Sequence, residues 1–264
     1  YYADRLMEFP LGVFSIALAT VILPGLAAHH ASQSPERFTA TLDWALRLVV
    51  IVVLPATAAL IVLSGPLTVT IFHYGKFDEH DVRMASLALT AYATGLLAFS
   101  MVKVLAPGYF ARQDTRTPVR IGIQSLGVNM SLNLLVVLPL ALIYPDRPGL
   151  HALLALNNAI GAWYNSTMLY RGLRKQGVLH HAPGWRRLWL QVLAGNLLMV
   201  AFLWWLGGET SRWIEMGAWQ RAQWMTLLVV GGAGIYFGSL YVLGMRLHEV
   251  RVRPAGPQPP APHA

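Results

Sequence analysis

The chain has 264 residues, of which 55% are hydrophobic and 12% are charged, and its mean hydropathy is +0.48. Soluble domains carry roughly 25% charged residues, so this chain has too few charges to cover a soluble globule. The composition excludes a soluble enzyme and a disordered protein. The absence of cysteine also excludes a thiolate nucleophile, a disulfide framework and cysteine-ligated metals. The sequence therefore predicts a polytopic membrane protein.

Seven charge-poor segments are long enough to cross a bilayer as helices, which takes about 20 residues each. These segments are 9–28, 48–74, 84–102, 121–145, 148–170, 188–208 and 222–245. Backbone groups in lipid must be hydrogen-bonded within helices or closed barrels, and the alternating pattern of barrel strands is missing. The predicted fold class is therefore all-α, with seven transmembrane helices.

The basic residues are distributed unevenly between the two ends of these spans. Of the 20 lysines and arginines, 14 follow spans one, three, five and seven, whereas the opposite segments hold eight of the 12 acidic residues. By the positive-inside rule the basic side is cytoplasmic, so the C-terminus is predicted inside and Tyr1 outside. The net charge of +8 is then a matter of topology, and no nucleic acid partner is predicted.

The two ends of the chain lead to two further expectations. An outer N-terminus with no initiator methionine or basic leader predicts that this chain is the C-terminal part of a larger membrane protein with earlier spans upstream. Residues 246–264 end in a proline-rich stretch without apolar periodicity, which predicts a disordered cytoplasmic tail.

Two stripes of polar residues lie within the predicted spans. Ser125, Asn129 and Asn133 are four residues apart and so share one face of span four. A second set, His151, Asn158 and Asn165, shares one face of span five. Each stripe either bonds to a neighbouring helix or lines a wet passage, and the spacing alone leaves both interpretations open.

A charged group precedes the first span. Arg5 and Glu8 are three residues apart, a spacing that allows an intrahelical pair. Arg5 either snorkels to the headgroup region or faces a cavity, where its planar guanidinium would suit phosphate oxygens.

Other motifs are less informative. His73, Asp78, His80 and Asp81 resemble a metal cluster, but we expect a solvated outer turn, and no metal or cofactor is predicted. Gly234 and Gly238 form a GxxxG pattern that predicts close helix packing. Hydrolase and nucleotide-binding motifs are missing from the sequence.

Four strings resemble the C-terminal half of the bacterial lipid II flippase family, MurJ or MviN. They are YYADRLMEFPLGVFSIALATVILPGLA at 1–27, LTVTIFHYGKFDEHD at 67–81, KVLAPGYFARQDTRTPVRIG at 103–122 and LYRGLRKQGV at 169–178. The resemblance runs through residues 1 to about 178, while the last two spans agree in length and position. It implies one bundle of a two-bundle transporter in the multidrug/oligosaccharidyl-lipid/polysaccharide exporter superfamily.

The resemblance also implies a function and a site. The family moves lipid II, the lipid-linked peptidoglycan precursor, from the inner to the outer leaflet of the cytoplasmic membrane, and it has a cavity arginine where this chain has Arg5. We therefore expect Arg5, Glu8, Asn129 and Asn133 to bind substrate. Some members place a sodium ion near an Asn and an Asp, but this chain has two asparagines there, and no sodium site is predicted.

The expected partners are lipid II, membrane lipids and the N-terminal half of the same protein. Two alternatives stay open. An exporter of a drug or of another polyprenyl-linked sugar would belong to the same superfamily, and acidic cavity residues would indicate the drug exporter. A membrane scaffold without a transport role would have fully packed polar stripes.

Overall fold

The computed structural model describes Gly12, residues 24–28, Ser32 and residues 34–245 other than 76, 145–148 and 181. This part of the chain is helical and contains no strand, so the predicted all-α class is confirmed. The predicted tail, 246–264, lies outside the described residues.

Residues 34–245 of the described structure contain nine α-helices and one π-helical turn. They are α1 (Pro35–Val62), α2 (Ser64–Phe72), α3 (Glu79–Phe110), α4 (Arg116–Leu132), the π-helical turn (Asn133–Val137), α5 (Leu138–Ile143), α6 (Leu150–Lys175), α7 (Trp185–Gly207), α8 (Thr210–Glu215) and α9 (Ala218–Val242).

The long helices pack side by side in the order α4, α6, α3, α1, α7 and α9. One apolar core lies between α1, α3 and α6, and a second joins α1 to α7 and α9. The short helices α2 and α8 contact each other and close the end of the bundle near the start of α3. The helix α4 therefore lies at one edge, where α6 is its main neighbour.

The predicted spans are only partly matched. Five described helical stretches combine the length and hydropathy of a membrane span: 35–62, 79–110, 116–143, 185–207 and 218–242. The helix α6 covers the predicted span 148–170 but is not among these five. Only Gly12 and residues 24–28 of the predicted span 9–28 are described. The count of seven spans therefore stays a prediction.

The second predicted span, 48–74, does not coincide with a single helix of the described structure. The helix α1 begins 13 residues earlier, at Pro35, and the chain breaks at Leu63 before α2. The charges of this early part are tolerated in the helix because Arg47 pairs with Asp43 at 2.9 Å. Asp43 also accepts a hydrogen bond of 2.7 Å from the indole of Trp185, which ties α1 to the start of α7.

The acidic turn before α3 is a helix cap. Asp78 accepts from the backbone N–H of Asp81 at 2.9 Å, and the Asp81 carboxylate accepts from the backbone N–H of Asp78 at 3.3 Å. This reciprocal capping satisfies amides that the first turn leaves unpaired. Within the described residues no group of three or more His, Asp or Glu side chains could hold a metal ion.

The described structure does not show the close packing predicted for Gly234 and Gly238. A Cβ atom built at either residue meets nothing within 4 Å in the described structure. The contact between α7 and α9 is made instead at Gly195 and Gly232, where a Cβ would come within 2.8 Å of Ser239 Oγ and 3.0 Å of Leu203 Cδ2 respectively. The GxxxG pair thus lies on the exposed side of α9.

Candidate substrate-binding site

A chain of amide side chains joins α4 to α6. Asn133 Nδ2 donates to Asn129 Oδ1 at 3.0 Å, and Asn157 Nδ2 donates to Asn133 Oδ1 at 2.8 Å. About one turn before Asn129 on α4, Ser125 Oγ donates to the Gly161 carbonyl at 2.7 Å. The predicted stripe on span four is therefore a real polar seam, and it bonds to the neighbouring helix.

The residue on α6 that completes this seam was missed in the sequence. Asn157 is buried, whereas Asn158, the residue expected there, is exposed. Successive helical residues point about 100° apart, so the two adjacent asparagines cannot both face α4. The spacing of Asn157 and Gly161, four residues apart, is the signal that could have identified the packed face.

The other two members of the predicted α6 stripe lie elsewhere. His151 is exposed, and its Nε2 lies 2.9 Å from the Met84 carbonyl at the start of α3. The Asn165 Oδ1 atom is buried and has no hydrogen-bond partner in the described structure. The expected line of His151, Asn158 and Asn165 along one seam is therefore wrong.

The π-helical turn begins at Asn133 itself. The backbone N–H of Leu138 donates to the Asn133 carbonyl, five residues back. Pro139 follows immediately, and a proline ring has no N–H and crowds the carbonyl four residues before it. Widening the turn accommodates that clash. Such π-helical turns occur frequently at functional sites.

The helix α4 is unusually open on the side away from α6. In the most apolar stretch of 116–143 only 6% is buried, whereas the corresponding stretches of α1 and α3 are 39% and 44% buried. Asn129 lies at the border of this open face, half-buried, and its Nδ2 donates to no other described residue. The seam therefore offers an uncharged donor to hydroxyl, amide or carbonyl groups beside α4, but it cannot neutralise a phosphate.

Cations gather at the end of the bundle where α3 and α6 finish and α4 begins. They are Lys103, Arg112, Arg116, Arg120, Arg171, Arg174 and Lys175. The one acid among them, Asp114, accepts from both the hydroxyl and the backbone N–H of Thr117, at 2.7 and 3.0 Å. These hydrogen bonds hold the pKa of Asp114 below its usual value. This end is thus strongly electropositive.

Two of the four expected substrate-binding residues cannot be placed. These are Arg5 and Glu8, which lie outside the described residues. Their roles, like those of Asn129 and Asn133, stay predictions.

Comparison with known proteins identifies the relatives of this chain. The family described as Lipid II flippase MurJ matches residues 1–219. The chain is 40% identical over 256 residues to "Probable lipid II flippase MurJ" of Haemophilus influenzae, covering 95% of this chain and 48% of that protein. It is 41% identical over 254 residues to the protein of the same name from Vibrio cholerae, covering 95% and 46%.

The solved structure titled "Lipid II flippase MurJ, inward closed conformation" has the same fold as this chain. Its TM-score is 0.67 at 20% sequence identity, over 90% of this chain and 46% of that structure. The present chain spans about half the length of the curated relatives it matches.

The helical fold, the five apolar helices and these relatives together define a multi-pass membrane protein with a transporter fold. Because the family match covers more than four fifths of its length, the chain belongs to the lipid II flippase MurJ family.

Proposed function

We propose that this chain is the C-terminal membrane bundle of a flippase that moves lipid II from the inner to the outer leaflet of the bacterial cytoplasmic membrane. The observation that carries the proposal is the family match over residues 1–219. Relatives at about 40% identity over 95% of the chain support it. Neither a drug exporter nor a non-transporting scaffold is favoured by these matches.

The proposed role follows from the physical problem of moving such a substrate. A diphosphate with a sugar and peptide headgroup cannot cross about 30 Å of hydrocarbon unaided. In our proposal Arg5 binds diphosphate oxygens, with Glu8 beside it, while Asn129 and Asn133 bond to uncharged headgroup groups. No covalent bond is made or broken, so the protein is a transporter and not an enzyme. Rocking of this bundle against an N-terminal bundle would provide alternating access.

A chimera tests this proposal. The C-terminal half of the Haemophilus influenzae relative is replaced by residues 1–264, and the chimera is expressed in cells depleted of their own lipid II flippase. We expect restored growth and a normal amount of lipid II in the outer leaflet, normalised to chimera abundance. A chimera that inserts at normal abundance yet restores neither would contradict the proposal.

Arg5 is tested in the same chimera. Arg5→Ala should abolish translocation, and Arg5→Lys should retain part of it, because an ammonium keeps the charge but loses the two-pronged geometry. Arg37→Ala is the matched control, since Arg37 is an exposed arginine in the first turn of α1. Full translocation by Arg5→Ala would remove Arg5 from the site without refuting the flippase function.

A further inference from the structure

A polar cavity lies at the end of the bundle away from the basic cluster. It has a volume of about 360 Å³ and opens between the start of α2, the first turns of α3 and the helix α8. Its lining residues are Ser64, Glu79, Val82, Arg83, Ser86, Leu87, Thr90, Thr210, Ser211 and Ile214. None of them belongs to α4 or α6, so this cavity is separate from the amide seam. Volumes of this size are typical of small-molecule sites.

The wall of this cavity is rich in hydroxyl groups held in fixed positions. Thr90 Oγ1 donates to Ser64 Oγ at 3.0 Å, and Ser86 Oγ donates to the Val82 carbonyl at 2.6 Å. Gly65 lets α8 approach α2, because a Cβ there would clash with the Thr210 hydroxyl and come within 3.2 Å of Thr210 Cγ2. The hydroxyls of Ser64 and Thr210 donate to no other described residue, which leaves both protons for a ligand.

Two opposite charges line the same cavity without pairing. Glu79 and Arg83 are one turn apart on α3, at the i, i+4 spacing that commonly forms an ion pair. Both are exposed, and neither has an ion pair or hydrogen bond with another residue of the described chain. A carboxylate and a guanidinium are therefore both available to one bound molecule.

The spacing of Glu79 and Arg83 along the axis of α3 sets the expected length of the ligand. Four helical residues rise about 6 Å, and two residues of extended peptide span about 7 Å. An extended dipeptide can thus place its ammonium at Glu79 and its carboxylate at Arg83. The side chains of Val82, Leu87 and Ile214 provide apolar contacts for small aliphatic groups between the two charges.

We propose that this cavity binds a short zwitterionic peptide, with the ammonium group on Glu79, the carboxylate on Arg83 and the peptide carbonyl groups on the hydroxyls of Ser64 and Thr210. The inference goes beyond the proposed flippase function and does not depend on it. Two sources share this chemistry: a free peptide, and the peptide part of a lipid-linked precursor headgroup that carries a free amino group and a free carboxylate.

Binding is measured on the full-length chimera in nanodiscs by ligand-observed NMR. The probe is alanyl-alanine, and its N-acetylated, C-amidated form is the uncharged comparison. We expect saturable binding of the zwitterion and none of the uncharged form. Glu79→Gln and Arg83→Gln should each raise the Kd by about two- to fivefold, which is the range of one exposed ion pair.

Glu215→Gln is the matched control, because Glu215 is an exposed acid at the end of α8 outside the cavity lining. It should leave the Kd unchanged, and equal thermal midpoints of all three variants establish that they are folded. The proposal is overturned if the wild type shows no saturable binding, if the uncharged peptide binds equally well, or if neither cavity variant raises the Kd.

The translocation assay separates the two sources once dipeptide binding is established. Reduced outer-leaflet lipid II in cells relying on Glu79→Gln or Arg83→Gln identifies the precursor headgroup as the ligand. Unchanged translocation by the same variants identifies a free peptide. Loss of dipeptide binding in these variants supports the site in either case, and a failed chimera rescue with intact dipeptide binding would refute only the flippase proposal.

Discussion

Arg221 is buried, with only 5% of its surface exposed, and carries a charge. In the described structure its hydrogen bonds all go to backbone carbonyl groups. Its guanidinium donates to Trp213 and Ile214 at 2.8 Å each and to His73 at 3.1 Å. These carbonyls lie at the C-terminal ends of α2 and α8, where the last helical turn leaves such groups unpaired. Arg221 directly precedes the predicted span 222–245, yet it is buried in the first turn of α9. One side chain thus joins three helices.

Arg221→Met should lower the free energy of unfolding by about 3 kcal/mol, because it leaves several carbonyls without their charged donor. Arg221→Lys should recover part of this loss, since an ammonium reaches fewer carbonyls than the guanidinium fork. The measurement is the thermal midpoint in detergent. Arg212→Met is the control: Arg212 is exposed, 5.6 Å from the Trp224 ring centroid, and should cost less than about 1 kcal/mol. We call these hydrogen bonds of Arg221 to the carbonyls of α2 and α8 the carbonyl clasp. Equal thermal midpoints for Arg221→Met and Arg212→Met would contradict a stabilising role of this clasp.

The adjacent asparagines of α6 provide a second test at the scale of single residues. Asn157→Leu should destabilise the protein by about 1 kcal/mol through loss of the bond to Asn133, whereas Asn158→Leu should not, because Asn158 is exposed. Thermal midpoints of both variants, and of each combined with Asn133→Leu, give the coupling. An Asn158→Leu variant that couples to Asn133→Leu as strongly as Asn157→Leu would refute the observed helix phase.

At the scale of elements, the backbones of α3 and α6 approach each other closely at Gly95 and Ala159. A Cβ built at Gly95 would lie 2.8 Å from the Cβ and 2.9 Å from the Cα of Ala159. Gly95→Ala should therefore push the two backbones apart and cost about 1–3 kcal/mol. Gly234→Ala should be neutral or stabilising, because its position is open and alanine favours helix. The measurement is the thermal midpoint of each variant. A Gly95→Ala protein with an unchanged midpoint would contradict the prediction, because the α3–α6 contact would then accommodate the added methyl group without cost.

The helices themselves could be predicted from hydropathy, but their ends and rotations could not. Charge-poor windows located α3, α7 and α9 to within a few residues of their ends, apart from eight residues at the end of α3. They missed the first 13 residues of α1 because Asp43 and Arg47 neutralise each other inside the helix. Spacing along α4 found Asn129 and Asn133, yet the partner helix has two asparagines side by side, and only packing selects Asn157.

For the whole molecule, the described structure gives the two ends of the bundle different chemistry. One end gathers the exposed cations of α3, α4 and α6, and the other holds the acidic cap of α3, the polar cavity and the carbonyl clasp of Arg221. The positive-inside rule assigns the first end to the cytoplasm. The orientation is still a prediction, and it determines from which side the proposed peptide site is reached.

The absence of native cysteine allows this orientation to be tested with single introduced cysteines. His80→Cys and Lys175→Cys replace exposed residues at opposite ends of the bundle. In intact cells producing the full-length chimera, an impermeant thiol reagent should label position 80 at once and position 175 only after the membrane is opened. The expected difference follows from the 14 cations placed on the side of Lys175 by the sequence. Equal labelling of both in opened membranes confirms that each thiol is accessible. Labelling of position 175 but not position 80 in intact cells would invert the topology and place the polar cavity on the cytoplasmic side.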